Sequence, residues 1–285
     1  MREIVGWILL GTVLSVAGAW LVNRFTSRPR RHDKAVEVCL VLLGLIQEVQ
    51  LHRGLSGALL DGRRDFRGEL DDSQYKLQRS LHMLAERFGG EQPVFRSDRW
   101  RIVLGRWESL RNHWRELPFD TNIAAHGEVI NGLAGILGSI GHAQGHVLGE
   151  RQSRIVSHWP ALIEDLGLLR ALGLHILGHR ATADDQLLID NIARQINTSR
   201  SHLKRLTDTD DEQALVVRTG RALRRVSWLL EGNAERYHPY TFYEEMTGVI
   251  DDWYVAIRRN LLITPKPVSL ASRLGALLRP TTETG

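Results

Sequence analysis

The sequence predicts an all-α protein: two antiparallel four-helix bundles preceded by one transmembrane helix. Three observations predict it. Residues 4–22 form an uncharged stretch of 19 residues, close to the roughly 20 needed to cross a bilayer as a helix. From Ala35 onward the apolar residues recur with helical period, and no convincing alternating strand pattern is present. Turn chemistry interrupts that pattern at short intervals.

Composition sets the outer limits. The chain has 285 residues, 43% hydrophobic and 25% charged, which describes a folded protein and excludes a disordered one. Its 37 Lys+Arg against 33 Asp+Glu leave a net charge of +4. That excess is small and scattered, so no nucleic-acid partner is expected. The single cysteine, Cys39, excludes an internal disulfide and a Cys-based zinc cluster.

Residues 1–34 read as a membrane anchor and a basic juxtamembrane linker. Trp7 and Trp20 lie near the ends of the apolar run, where indoles favour the headgroup region. Ala17-Gly18-Ala19 also has the form of a signal-peptidase site. Against cleavage, Glu3 offsets Arg2 and the apolar run continues through Leu21 and Val22. Arg24, Arg28, Arg30, Arg31 and Lys34 follow the span, so the rule that positive flanks stay inside predicts an inner-membrane, single-pass protein with its N-terminus out and its domain cytoplasmic. Gly11, Ser15 and Ala19 make a small-residue face that either pairs two such helices into a homodimer or faces lipid.

The domain at 35–262 is expected to hold helices at 35–61, 69–88, 95–116, 121–151, 160–179, 184–206, 211–236 and 241–261. The breaks between them fall at Asp61-Gly62, Gly89-Gly90, Leu117-Pro118, Trp159-Pro160 and His238-Pro239. Asp120 and Asp184 are expected N-caps. Eight helices on short links suggest two bundles, about 35–151 and 152–262. Residues 263–285, with three prolines and a short amphipathic piece at 269–279, are expected to form a flexible tail.

The first and fifth helices share a register. Cys39, Leu42, Ile46, Val49, Arg53, Ser56 and Leu60 step by three and four, as do Ile163, Leu166, Arg170, Gly173 and Leu177. Each row puts an arginine in the core-facing seam, then a small residue, then leucine. A guanidinium is permanently charged, and burying it without an anion costs several kcal/mol. Neither arginine has an acid three or four residues away on its own helix. Another helix therefore supplies a carboxylate, or an anion from solution does. The small residues beside each arginine leave room for a guest, and a planar oxyanion suits the arginine fork.

These residues carry a resemblance. Gln50-Leu-His-Arg-Gly-Leu-Ser56 resembles the first signature of the nitrate- and nitrite-sensing (NIT) domain family, and Leu168-Leu-Arg-Ala-Leu-Gly173 resembles its second arginine motif. Tyr240-Thr-Phe-Tyr-Glu-Glu-Met-Thr-Gly-Val-Ile-Asp251 is similar to a stretch near the end of that domain. The match covers about residues 35–262. It implies an all-helical sensor of paired four-helix bundles that binds nitrate or nitrite between arginine-bearing helices. Arg53 and Arg170 are then the anion ligands, with Gln50, Ser56 and Thr247 as supporting polar contacts. Family members usually carry an output module, and this chain has no stretch for one, so a separate effector protein is expected.

Other features are read against this. Gly132, Gly135, Gly138, Gly141, Gly145 and Gly149 stripe the fourth helix, for close packing or for bending. His142/His146 and His175/His179 have metal-binding spacing, and Glu235/His238 adds one Glu-x-x-His. A di-iron bundle needs two such motifs and more glutamates, so no metal and no cofactor are expected. Trp100, Trp107 and Trp114 recur every seven residues and read as core. No phosphate-binding glycine loop, His-Glu-x-x-His or Gly-x-Ser-x-Gly signature is present, so no catalytic residue is assigned. The alternatives are a metal-binding bundle built on the histidine pairs, and a ligand-free scaffold that docks a partner through the tail or the anchor.

Overall fold

The computed structural model describes residues 2–62, 66–90, 93–179, 186–204, 210–233 and 237–263, with side chains beginning at residue 31. All secondary structure among the described residues is helical. The helices are α1 (Arg2–Leu60), α2 (Arg67–Phe88), α3 (Asp98–His113), α4 (Phe119–Ala143), the single turn α5 (Gly145–Leu148), α6 (Glu150–His179), α7 (Gln186–Lys204), α8 (Asp210–Trp228) and α9 (Pro239–Leu262).

Backbone helix runs unbroken through α1, so no loop separates the apolar N-terminal stretch from the domain. At 1.5 Å per residue its 59 residues reach about 90 Å. The helix stops at the expected Asp61-Gly62 turn, where Gly62 takes φ +84°, a conformation that glycine adopts without steric cost. Helix α9 begins on Pro239, with His238 as its cap: the imidazole accepts the Tyr240 N–H.

Two expected boundaries are corrected. Pro160 does not start a helix but lies inside α6. An interior proline costs about 3 kcal/mol, and packing on both sides of it outweighs that. Trp159 meets Trp253 edge to face at 5.0 Å, while Leu162 and Ile163 are wholly buried. The break falls earlier, at Gly149, where φ is +89°. The fourth helix accordingly ends at Ala143. Asp120 is not a cap either. Pro118 holds that position without a side-chain bond, and Asp120 sits in the first turn, where its charge suits the helix dipole. Asp184, Glu235 and the tail from residue 264 lie outside the described residues.

Helix α1 packs on α2, α4 and α6; α4 packs on α3 and α6; α6 packs on α7 and α9; and α8 packs on α7 and α9. One apolar core threads these helices, from Leu42, Leu43 and Ile46 through Ile130, Ile136 and Leu166 to Trp253 and Ile257. The tryptophan stripe of α3 is core, as read. The glycine stripe is only partly a packing device: a Cβ on Gly132 would come 2.4 Å from Val103 Cγ2 and one on Gly141 2.4 Å from Val156 Cγ2, but Gly138 meets nothing within 4 Å and Gly145 and Gly149 lie beyond α4. Among the described residues, Arg31–Leu60 and α4 are long and apolar enough to cross a membrane by length and composition, and both line this core.

Candidate functional site

The three motif segments meet at one buried point between α1, α6 and α9. Arg53 is 1% exposed and Arg170 is 4% exposed, so both guanidiniums leave water, as the shared register predicts. The glycines beside them make the approach possible. A Cβ on Gly167, three residues before Arg170, would lie 2.9 Å from Arg53 Nη2 and 3.2 Å from Gln50 Nε2, and one on Gly54 would lie 3.8 Å from Arg170 Nη2. The space left at Gly167 is therefore filled by the Arg53 fork and the Gln50 amide.

The two arginines differ in their partners. Arg53 donates through Nη1 and Nη2 to Glu164 Oε1 and Oε2, at 2.5 and 3.1 Å, a bidentate pair. Arg170 meets no carboxylate among the described residues. It donates from Nη1 to Thr247 Oγ1 at 2.9 Å and from Nη2 to the Gln50 carbonyl at 3.2 Å, and it lies 5.2 Å over the Tyr243 ring. Among the described residues no acidic oxygen comes within 4.0 Å of it. The Nε of each arginine is buried without an acceptor. Burial presses the Arg170 guanidinium below its ordinary pKa, and the Arg53 charge acts in the same direction, against opposing contributions from Tyr243, Asp251 and Tyr254. Arg53 thus has a carboxylate in contact, whereas the acid acting on Arg170 is the exposed Asp251 of α9, from beyond ion-pair distance.

Gln50 links the cluster. Its amide donates to Glu164 Oε2 at 2.8 Å, and its Oε1 accepts the Tyr254 hydroxyl at 3.0 Å. Burial and the Glu164 charge raise the Tyr254 phenol above its usual range.

Of the residues singled out in the sequence, Arg53, Arg170, Gln50 and Thr247 are thus brought together. Ser56 is not. It accepts from Asn122 Nδ2 at 2.9 Å and donates to the Arg53 carbonyl, on the side of α1 that faces α4. Glu164, Tyr243 and Tyr254 were missed. Glu164-Asp165 is a pair of acids inside an apolar run, a signal that was there to read. Tyr243 lies within the third motif.

A second buried polar cluster lies beyond Ser56. His126 Nδ1 donates to the Asn122 carbonyl at 2.7 Å, so its Nε2 accepts from His52 Nδ1 at 2.7 Å. His52 Nε2 in turn accepts from Gln74 at 2.9 Å. Both rings are satisfied only when neutral. Burial, with Arg115 nearby, pushes His52 down to about 3. Burial and the His52 neighbour hold His126 well below its ordinary value.

The histidine pairs do not gather ligands. His175 donates to Asp61 at 2.9 Å and stacks on Phe119 at 3.8 Å, His142 is exposed, and the side chains of His146 and His179 lie outside the described residues. Among the described residues no three His, Cys, Asp or Glu side chains group to hold a metal.

No protein-family model matches the chain, and no curated protein sequence does. Among solved structures, the NasR transcription antiterminator is similar to it, with a TM-score of 0.56 at 18% identity over 89% of this chain and 77% of that one. At that identity the likeness speaks for the helical fold alone.

Proposed function

We propose that this chain is a member of the NIT family acting as a membrane-anchored sensor of nitrate or nitrite. Residues 4–22 anchor it, with the domain on the cytoplasmic side, and residues 35–262 form two antiparallel four-helix bundles. One small planar oxyanion binds between α1, α6 and α9 against Arg170 and Arg53, and the resulting helix rearrangement passes a signal to a separate effector.

One observation carries this reading: Arg170 is buried with no carboxylate in contact among the described residues. A guanidinium held out of water without a counter-ion costs several kcal/mol, and a monovalent anion removes that cost. The convergence of three separate motifs at this point supports it. A carboxylate in contact with each arginine would favour a ligand-free scaffold, and among the described residues Arg53 alone of the two has one.

Calorimetric titration of the full chain in detergent with nitrate, nitrite and chloride tests the reading. Binding of nitrate or nitrite in preference to chloride, lost in Arg170→Met, is the expected result. Equal responses to all three anions, or binding unchanged in Arg170→Met, would sink it.

A further inference from the structure

The carboxylate on Arg53 stands where the proposed ligand belongs. To an arginine fork, a carboxylate presents two oxygens in one plane, the same face that nitrite or two oxygens of nitrate present. Glu164 fills that fork with both oxygens. It is also more open than the arginine it serves: its side chain is 14% exposed, against 1% for Arg53. A residue at the rim of a buried site can turn toward water where the arginines cannot.

We propose that Glu164 is a built-in competitor, a tethered anion that occupies the Arg53 fork until the free anion displaces it. This rests on the anion-sensor reading above. Three consequences follow from the bonds present. Displacement breaks the ion pair that ties α1 to α6 and frees the Gln50 amide from Glu164. Gly54 and Gly167 let each guanidinium lie against the other arginine's helix, so a guest in the vacated fork sits between the two helices that carry the arginines. The α1–α6 contact then differs between the empty and occupied states, which gives a ligand something to bias.

The test is nitrate affinity, measured by calorimetry on the full chain in detergent, for the wild type, Glu164→Gln and Glu164→Asp. Glu164→Gln removes the competing charge and should bind nitrate at least about tenfold more tightly, a difference of about 1.4 kcal/mol. Glu164→Asp keeps the charge but withdraws it from the fork by one methylene, so it should also bind more tightly, by a smaller factor. Tightening in Glu164→Gln with wild-type affinity in Glu164→Asp would overturn the proposal, since charge alone would explain it. Unchanged or weaker binding in both would overturn it too, leaving Glu164 as a structural partner while the sensor reading stands. No nitrate binding in any of the three proteins would remove the reading itself. Thermal melts establish that each variant is folded, and if Glu164→Gln does not fold, Glu164→Asp alone decides.

Discussion

Glu164 and Arg170 stand on the same helix, six residues apart, and the carboxylate serves the arginine of a different one. Six residues are about 9 Å of rise and one and two thirds turns, so Glu164 cannot fold back onto Arg170. It reaches across to Arg53 on α1 instead. The spacing on α6 thus decides which arginine Glu164 pairs with and which is left without a contacting carboxylate among the described residues.

That asymmetry predicts unequal mutational costs without ligand. Arg53→Ala leaves Glu164 facing a buried site without its partner, and should destabilise the fold by about 2–4 kcal/mol. This is somewhat less than for a fully enclosed pair, because Glu164 stays partly exposed. Arg170→Met replaces a buried charge that has no contacting carboxylate among the described residues with an apolar chain of similar length. It should leave stability within about 1 kcal/mol of wild type or raise it. Urea unfolding of both variants checks this, and an equally large loss in Arg170→Met would count against the asymmetry.

The glycine one turn beyond Arg170 also sets a limit. In Gly173→Ala the new Cβ would lie 2.4 Å from Cζ and 2.6 Å from Cε1 of Phe242, a wholly buried ring. Alanine favours helix by about 1 kcal/mol, but overpacking against a fixed ring costs about 1–3 kcal/mol. Net destabilisation is expected, read as a lower urea midpoint.

The His52–His126 pair predicts a stability that falls in mild acid. Both rings are held neutral in the fold, with His52 near pKa 3 against about 6.5 when unfolded. Between those values the unfolded chain binds protons that the native one does not, so stability rises with pH, is complete above about 6.5 and is lost as pH falls below it. From pH 7 to 5 the His52 contribution is about 2 kcal/mol. The charged groups facing the pair are the guanidiniums of Arg115 and Arg53. Urea midpoints at pH 7, 6 and 5 should fall more steeply in the wild type than in His52→Gln.

Cys39 is fully buried, and burial raises its thiol pKa to about 12. At pH 8 it should resist a water-soluble thiol reagent in the native state and react once the chain is unfolded in urea.

Much of this was legible in the sequence because it is written in local patterns. Helical period, the Asp61-Gly62 and His238-Pro239 turns, and the register that buries Arg53 and Arg170 together are all short-range signals. What was not legible depends on tertiary partners. Pro160 reads as a break unless one knows that Trp159 packs on Trp253. Ser56 shares the seam with Arg53, yet Asn122 of α4 draws its hydroxyl away. Glu164 lies 111 residues from the arginine it serves, and no spacing rule connects them.

A crystal structure determined at saturating nitrate tests the central claim most directly. The expected result is one anion with oxygens within about 3 Å of both guanidiniums, and Glu164 turned out of the Arg53 fork. Nitrate absent from the site, with Glu164 still paired to Arg53 and Arg170 still held by Thr247 and the Gln50 carbonyl, would contradict it.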